Sequence, residues 1–124
     1  MFELKVINKF AAAHQLQMVG EKCENLHGHN FKVEAFVAGE ELNAAGVLMD
    51  FGIVKAALKE IIGRLDHKFL NEMAPFSESS ASSENIAVFI ATELQKAVDE
   101  PGVFVSRVRV WESDNACATY SPKR

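Results

Sequence analysis

Hydrophobic and polar residues alternate at both ends of the chain, as half-buried β-strands require. Residues 2–14 place apolar side chains on one side of the predicted strand: Phe2, Leu4, Val6, Phe10 and Ala12. Residues 27–37 repeat the pattern, with Phe31, Val33, Ala35 and Val37 on one side and Asn30, Lys32 and Glu34 facing away. Two further strands are predicted at residues 103–112 and 116–120.

Two segments with helical periodicity lie between these strand pairs. Asp50 is placed to cap the first helix, whose apolar stripe begins at Phe51 and ends at Ile62. Ser82 or Ser83 begins the second helix, which ends before residues 99–102, and the Ser-rich stretch 77–83 is expected to be a flexible loop. The order of elements predicts one α+β domain over residues 1–124, an antiparallel four-stranded sheet with two helices on one face.

Composition narrows the classes of function. The 124 residues carry a net charge of −4 with scattered basic residues, which argues against a nucleic-acid interface. No apolar run approaches the ~18 residues of a membrane span, and the alternating first ten residues do not resemble a signal peptide, so we expect a cytoplasmic protein. A core of this size leaves little room for a deep cavity, and we therefore expect an oligomer with sites between subunits.

Three of the four histidines fall on the apolar side of predicted strands: His14, His27 and His29. Three neutral imidazoles can hold a zinc ion and leave one position open for water or substrate. Each histidine taken alone is better explained as a hydrogen-bonded core or surface residue. Together, with one pair two residues apart, they favour a metal site, because burying several unpartnered imidazoles is costly.

Both cysteines have more than one interpretation. A thiol near a metal can have its pKa lowered enough to act as a base, and Cys23 lies four residues before His27. An inert buried cysteine is the alternative. Cys23 and Cys117 are expected to be free thiols rather than a disulfide, given the predicted compartment.

Two acidic positions complete the candidate chemistry. Asp66 and His67 could form a carboxylate–imidazole relay, provided that they lie in an irregular segment, since neighbours in a regular element point apart. Glu112 ends a strand on the parity of Phe104, Val108 and Val110, at the rim of an apolar face. Its carboxylate could bind the N–H donors of a ligand or pair with a structural arginine.

Six segments together resemble one enzyme family: FAAAH at 10–14, C-x-x-x-HGHN at 23–30, MDF at 49–51, LDHKFLN at 65–71, SSEN at 82–85 and VWES at 110–113. The chain is similar along nearly its whole length to the 6-pyruvoyl-tetrahydropterin synthase and 6-carboxytetrahydropterin synthase (QueD) family. Where members often read Pro-Thr-Ser/Ala-Glu, this chain reads Ala-Ser-Ser-Glu at 81–84.

The resemblance implies a tunnelling fold, in which sheets from several subunits join into a barrel, and a homo-oligomer, expected to be a hexamer. It implies that His14, His27 and His29 bind Zn²⁺, that Cys23 is the general base, and that Asp66 and His67 relay protons. Glu112 would bind the pterin ring and take part in the proton relay, and Ser82 and Ser83 would contribute to substrate binding. Candidates for the substrate's triphosphate are Lys9, Lys22, Lys68 and Arg107.

The implied reaction is zinc-dependent conversion of 7,8-dihydroneopterin triphosphate to 6-carboxy-5,6,7,8-tetrahydropterin, with release of triphosphate and acetaldehyde, in queuosine biosynthesis. Elimination of triphosphate to the 6-pyruvoyl product is the second possibility. A third is a pterin-binding module without turnover, against which the candidate base and relay argue.

Overall fold

The computed structural model describes residues 1–16 and 27–124, and for residue 27 the backbone only. Four strands form one antiparallel sheet in sequence order: β1 (Phe2–His14), β2 (His27–Gly39), β3 (Val103–Ser113) and β4 (Ala116–Tyr120). Helices α1 (Phe51–Gly63) and α3 (Ser83–Ala97) pack against one face of this sheet. The predicted α+β arrangement is confirmed.

The segment between the two long helices contains more structure than the sequence predicted. A 3₁₀ turn at Leu70–Glu72 is followed by the short helix α2 (Ala74–Ser77), which has Pro75 in its first turn, where a missing N–H costs nothing. Leu70 and Phe76 are buried and attach this segment to the core. Within the described ranges, no helix has the length and apolar character needed to span a membrane.

Both long helices begin where their capping residues predict. The Asp50 carboxylate accepts a hydrogen bond from the Gly52 N–H, and the Ser82 hydroxyl accepts one from the Asn85 N–H. Each cap satisfies a backbone donor that the first helical turn leaves free. Phe51, predicted to lie on the buried stripe of α1, is instead 50% exposed, because it stands at the first helical position, beyond the sheet contact.

The core lies between the helices and the alternating apolar residues of the sheet. Phe31 is fully buried and stacks on Phe10 across β1 and β2, with ring centroids 4.9 Å apart. Val54 and Leu58 of α1 and Ile90 of α3 close the layer above them. Phe2, predicted on the buried side, remains 47% exposed at the chain end of the edge strand β1.

Two β-bulges interrupt the alternation of β3. The first adds one residue to β3 opposite Phe36 and Val37 of β2, which pair with Arg107 and Val105. This shift moves Phe104 off the core face. Phe104 pairs with Ala38, and its ring stacks against the Arg124 guanidinium. The predicted shared parity of Phe104 and Glu112 is therefore wrong. The second bulge lies between Trp111 and Ser113, where the register of β3 against β4 shifts at Glu112. Bulges of this kind redirect a side chain at the end of a strand.

Glu34 faces away from the core, as predicted, yet only 7% of its side chain is exposed. Its carboxylate accepts a hydrogen bond from Trp111 Nε1 at 2.5 Å and ion-pairs with Lys5 at 3.3 Å and Arg109 at 3.4 Å. Burial raises the pKa of the Glu34 carboxyl, but the hydrogen bonds from Trp111 and Lys5 and the two positive charges outweigh it and hold the pKa below its usual value.

We expect Glu34→Gln to lower the free energy of unfolding by about 1–3 kcal/mol at neutral pH, since it removes charge-assisted hydrogen bonds. A lowered pKa stabilises the fold above the ordinary glutamate value of about 4.3, and this contribution is lost as pH falls through the folded-state pKa. Urea unfolding of both proteins at pH 7 and at pH 3 measures the difference. An equal difference at both pH values would contradict the electrostatic explanation.

Candidate metal centre and adjoining groove

Side chains from three strands meet at one end of the sheet. His14 ends β1, His29 lies near the start of β2, and Glu112 is supplied by the bulge in β3. Glu112 Oε1 lies 2.8 Å from His29 Nε2 and 3.2 Å from His14 Nε2. One ligand atom from each of the three residues lies within 4.8 Å of the others, so the cluster could hold a metal ion.

The hydrogen bonding of His14 prepares it as a ligand. Its ring is fully buried, and Nδ1 lies 2.8 Å from the carbonyl oxygen of Ala81. A carbonyl can only accept, so Nδ1 carries a proton, and Nε2 is the ring nitrogen that faces Glu112 Oε1, at 3.2 Å. A proton or a metal cation between Nε2 and the carboxylate oxygen stabilises this arrangement.

This donor set fits the predicted metal. Imidazole nitrogen and carboxylate oxygen are common zinc ligands, and a ligating histidine usually donates its second N–H to a carbonyl or carboxylate, as His14 does. The metal cluster, as we call His14, His29 and Glu112, therefore matches two of the three predicted ligands. It also contains the carboxylate of Glu112, for which the resemblance implied a role in binding the pterin ring of the substrate.

Two other predicted site residues, His27 and Cys23, lie partly or wholly outside the described residues. His27 lies in β2 directly opposite His14 in the strand register, but its side chain lies outside the described residues. Cys23 lies outside them entirely. Their roles as third metal ligand and as base stay predictions.

Asp66 and His67 lie in the irregular segment that their cooperation requires. His67 has a left-handed backbone (φ 59°), which costs a non-glycine residue about 1–2 kcal/mol, and its Nε2 lies 3.6 Å from Asp66 Oδ2. Three hydrogen bonds hold this segment against the edge of β1. The Ala11 N–H donates to Asp66 Oδ1, and the Ala13 N–H donates to the Lys68 carbonyl. The His67 N–H donates to the Ala11 carbonyl. These hydrogen bonds hold the strained turn in place.

A groove of about 480 Å³ is lined by His67 of this pair and by His29 of the metal cluster. Lys68 and small residues of β1 and β2 complete much of its wall. His67 is 81% exposed, and its ring can therefore exchange protons with water or with a bound molecule. One residue of the predicted relay and one predicted metal ligand thus border the same space.

A second cavity, of about 170 Å³, lies on the other side of Glu112. Ser83 and Glu84 of α3 and Cys117 of β4 contribute to its wall. Ser83 Oγ is buried and has no hydrogen-bond partner among the described residues, so it is available to a ligand, whereas the Ser82 hydroxyl is occupied by the helix cap. Sequence reasoning missed Glu84 and the Ala81 carbonyl, and a backbone carbonyl leaves no signal in a sequence.

Comparison with known proteins places this fold and site in a family. The family model described as 6-pyruvoyl tetrahydropterin synthase matches residues 3–123. A putative 6-carboxy-5,6,7,8-tetrahydropterin synthase of Archaeoglobus fulgidus is 37% identical over 113 residues, covering 91% of this chain and 90% of that protein. The human 6-pyruvoyl tetrahydrobiopterin synthase is 35% identical over 120 residues, covering 94% of this chain and 81% of that protein.

The solved structures agree on the fold. The Caenorhabditis elegans 6-pyruvoyl tetrahydropterin synthase superimposes with a TM-score of 0.86 at 21% identity, over 98% of this chain and 96% of that one. The molecule is thus a tunnelling-fold protein with a candidate metal centre at one end of its sheet. It belongs to the 6-pyruvoyl tetrahydropterin synthase family.

Proposed function

We propose that this chain is a cytoplasmic, zinc-dependent lyase that converts 7,8-dihydroneopterin triphosphate to 6-carboxy-5,6,7,8-tetrahydropterin, with release of triphosphate and acetaldehyde, in queuosine biosynthesis. The observation that carries the proposal is a groove lined both by His29 of the metal cluster and by His67 of the Asp66–His67 pair. Pterin binding alone requires neither a metal nor a proton relay. The similarity to the archaeal 6-carboxytetrahydropterin synthase favours this product.

In this proposal His14, His27 and His29 hold Zn²⁺, which when bound polarises the side-chain oxygens of the substrate and stabilises developing negative charge. The thiolate of Cys23 removes a proton from a side-chain carbon. His67, oriented by Asp66 and open to the groove, passes protons between the substrate and water. Loss of triphosphate, addition of one water molecule and cleavage of the bond between the first and second side-chain carbons then follow, so that the first carbon becomes the carboxylate and the other two leave as acetaldehyde.

Glu112 and Ser83 would hold the pterin ring. The Glu112 carboxylate lies between the two histidines and the cavity that Ser83 borders, with 34% of its side chain exposed. A carboxylate at this point can accept the paired N–H donors of a guanidine-like ring edge. Ser83 Oγ offers one further donor or acceptor, in agreement with the substrate-binding role that the resemblance implies for this serine.

A homo-oligomer, proposed to be a hexamer, would complete the site. β1 and β4 are the two edges of the sheet, and the Asp66–Phe69 segment covers β1 only near Ala11 to Ala13. Exposed strand edges of this length are normally paired or protected, and pairing with neighbouring copies would extend the sheet. Sedimentation of the purified chain as a monomer at assay concentration would contradict this part of the proposal.

Mass spectrometry of the product from 7,8-dihydroneopterin triphosphate tests the function. We expect 6-carboxytetrahydropterin and acetaldehyde in equal amounts. A 6-pyruvoyl product would assign the chain to the second branch, which the human relative favours. Tight binding of the substrate without any turnover would instead indicate a pterin-binding module.

A further inference from the structure

Asn71 forms two hydrogen bonds with the main chain of the residue that follows His14 of the metal cluster. Its Oδ1 accepts from the Gln15 N–H at 2.8 Å, and its Nδ2 donates to the Gln15 carbonyl at 2.7 Å. One side-chain amide thus satisfies both main-chain groups of residue 15, as a residue of a neighbouring strand would. Because the contact is to main-chain atoms, it fixes the path of the chain.

The Asn71 amide continues a row of hydrogen bonds along the outer edge of β1. At Ala11 and Ala13 the partners belong to residues 66–68, and at Gln15 the partner is Asn71. Alternate residues of a strand present their main-chain groups to the same neighbour. Residues 66–71 therefore serve as a short partner for the last part of β1.

This arrangement holds the backbone of His14 on both sides. The Lys68 carbonyl binds the N–H of the residue before it, and Asn71 binds the residue after it. Pairing of β1 with β2 ends at His14 within the described ranges, so Asn71 holds the chain one residue beyond the sheet. A side chain at a metal site has to be held within about 0.5 Å of its working position, which requires a fixed backbone beneath it.

Asn71 also connects the metal cluster with the predicted proton relay. The segment to which it belongs carries His67 at its other end, and Leu70, the neighbour of Asn71, is fully buried in the core. The amide transmits the fixed position of this segment to the end of β1. Asn71 is not among the described residues that line the groove, so it would act through His14 rather than on a bound molecule.

We propose that Asn71 is a positioning residue for the metal centre. Through the main chain of Gln15 it sets the position of His14 within the metal cluster and relative to His67. The proposal rests on the proposed function for the identity of the metal and of the reaction, whereas the hydrogen bonds that carry it belong to the chain itself.

The zinc affinity of the purified chain, measured by competition with a chelator, tests this role without any turnover. We expect Asn71→Ala to bind Zn²⁺ about 10–100-fold more weakly than the parent, the range for residues that orient a metal ligand. Asn71→Leu keeps the approximate shape of the side chain without its hydrogen bonds and should have the same effect. It replaces the alanine variant if that one does not fold.

Asn43→Ala is the matched control. Asn43 Oδ1 also accepts two main-chain hydrogen bonds, from Ala45 and Val47, but in the loop after the far end of β2. This variant should bind Zn²⁺ as the parent does, and thermal unfolding of both variants measures any general effect on the fold. An unchanged zinc affinity in Asn71→Ala and Asn71→Leu would overturn the proposal, as would an equal reduction in Asn43→Ala.

Steady-state kinetics at saturating zinc provides the second readout. Asn71→Ala should show a kcat lowered about tenfold with an unchanged KM, because a small displacement of catalytic groups slows the reaction without removing a substrate contact. A raised KM with unchanged kcat and zinc affinity would make Asn71 a substrate-binding residue and overturn the proposal. If no pterin is turned over but zinc affinity still depends on Asn71, the proposed function fails and the positioning role stands. A parent chain that binds no zinc would overturn both.

Discussion

His29→Ala is expected to purify with less than a tenth of the zinc of the parent protein and to lose measurable turnover. Changing a residue that merely supports a metal ligand lowers metal affinity about 10–100-fold, and removal of a ligand itself should exceed that range. The fold should persist, because His29 is partly exposed at the end of β2 and the core begins at Phe31. Metal analysis by mass spectrometry, with thermal unfolding in parallel, measures both properties.

Glu112→Gln is the matched control for this experiment. If three histidines hold the metal and Glu112 holds the ring, the glutamine variant keeps its zinc and shows a raised KM. If zinc is lost from Glu112→Gln as completely as from His29→Ala, the ligand set is the His14, His29 and Glu112 cluster itself. Undiminished zinc in His29→Ala would remove the metal assignment altogether.

Cys23→Ala is expected to retain fold and zinc and to lose turnover by a factor of about 10²–10⁴, the range for removing a positioned acid or base. The proposed mechanism assigns removal of the carbon-bound proton to this thiolate alone. Initial rates under saturating substrate, together with zinc content, measure the effect.

Cys117→Ala provides the comparison, since this exposed cysteine is free and borders the smaller cavity rather than the groove. It should be nearly silent. Equal losses in the two cysteine variants would indicate a packing role or a disulfide, and Cys23 would then no longer be the base.

Alternation and capping were sufficient to predict the sheet and both long helices. The rule failed at the bulge opposite Phe36 and Val37, where one additional residue in β3 moved Phe104 to the helix-free face. A bulge depends on pairing with the neighbouring strand, and periodicity within one strand does not record it. Glu34 was missed for a related reason, because its burial comes from side chains on the two neighbouring strands, Lys5 of β1 and Arg109 and Trp111 of β3.

The same distinction, between periodicity within one strand and contacts between elements, applies to the candidate site. Strand parity was enough to place His14 and His29 on a common face. The contact between Asp66 and His67, the predicted relay, involves a left-handed residue, and because the residue in that conformation is a histidine rather than a glycine, the sequence does not indicate it. The short helix α2 was missed because four residues are too few for a helical period to emerge.

The hydrogen bond between His14 Nδ1 and Ala81 has an evolutionary consequence. The acceptor is a main-chain carbonyl, and every amino acid that could replace alanine supplies the same oxygen. The Ser-rich loop before α3 can therefore change its side chains by mutation without altering which nitrogen of His14 is protonated. Selection on this contact acts on the path of the backbone and on the small size of the fully buried residue 81.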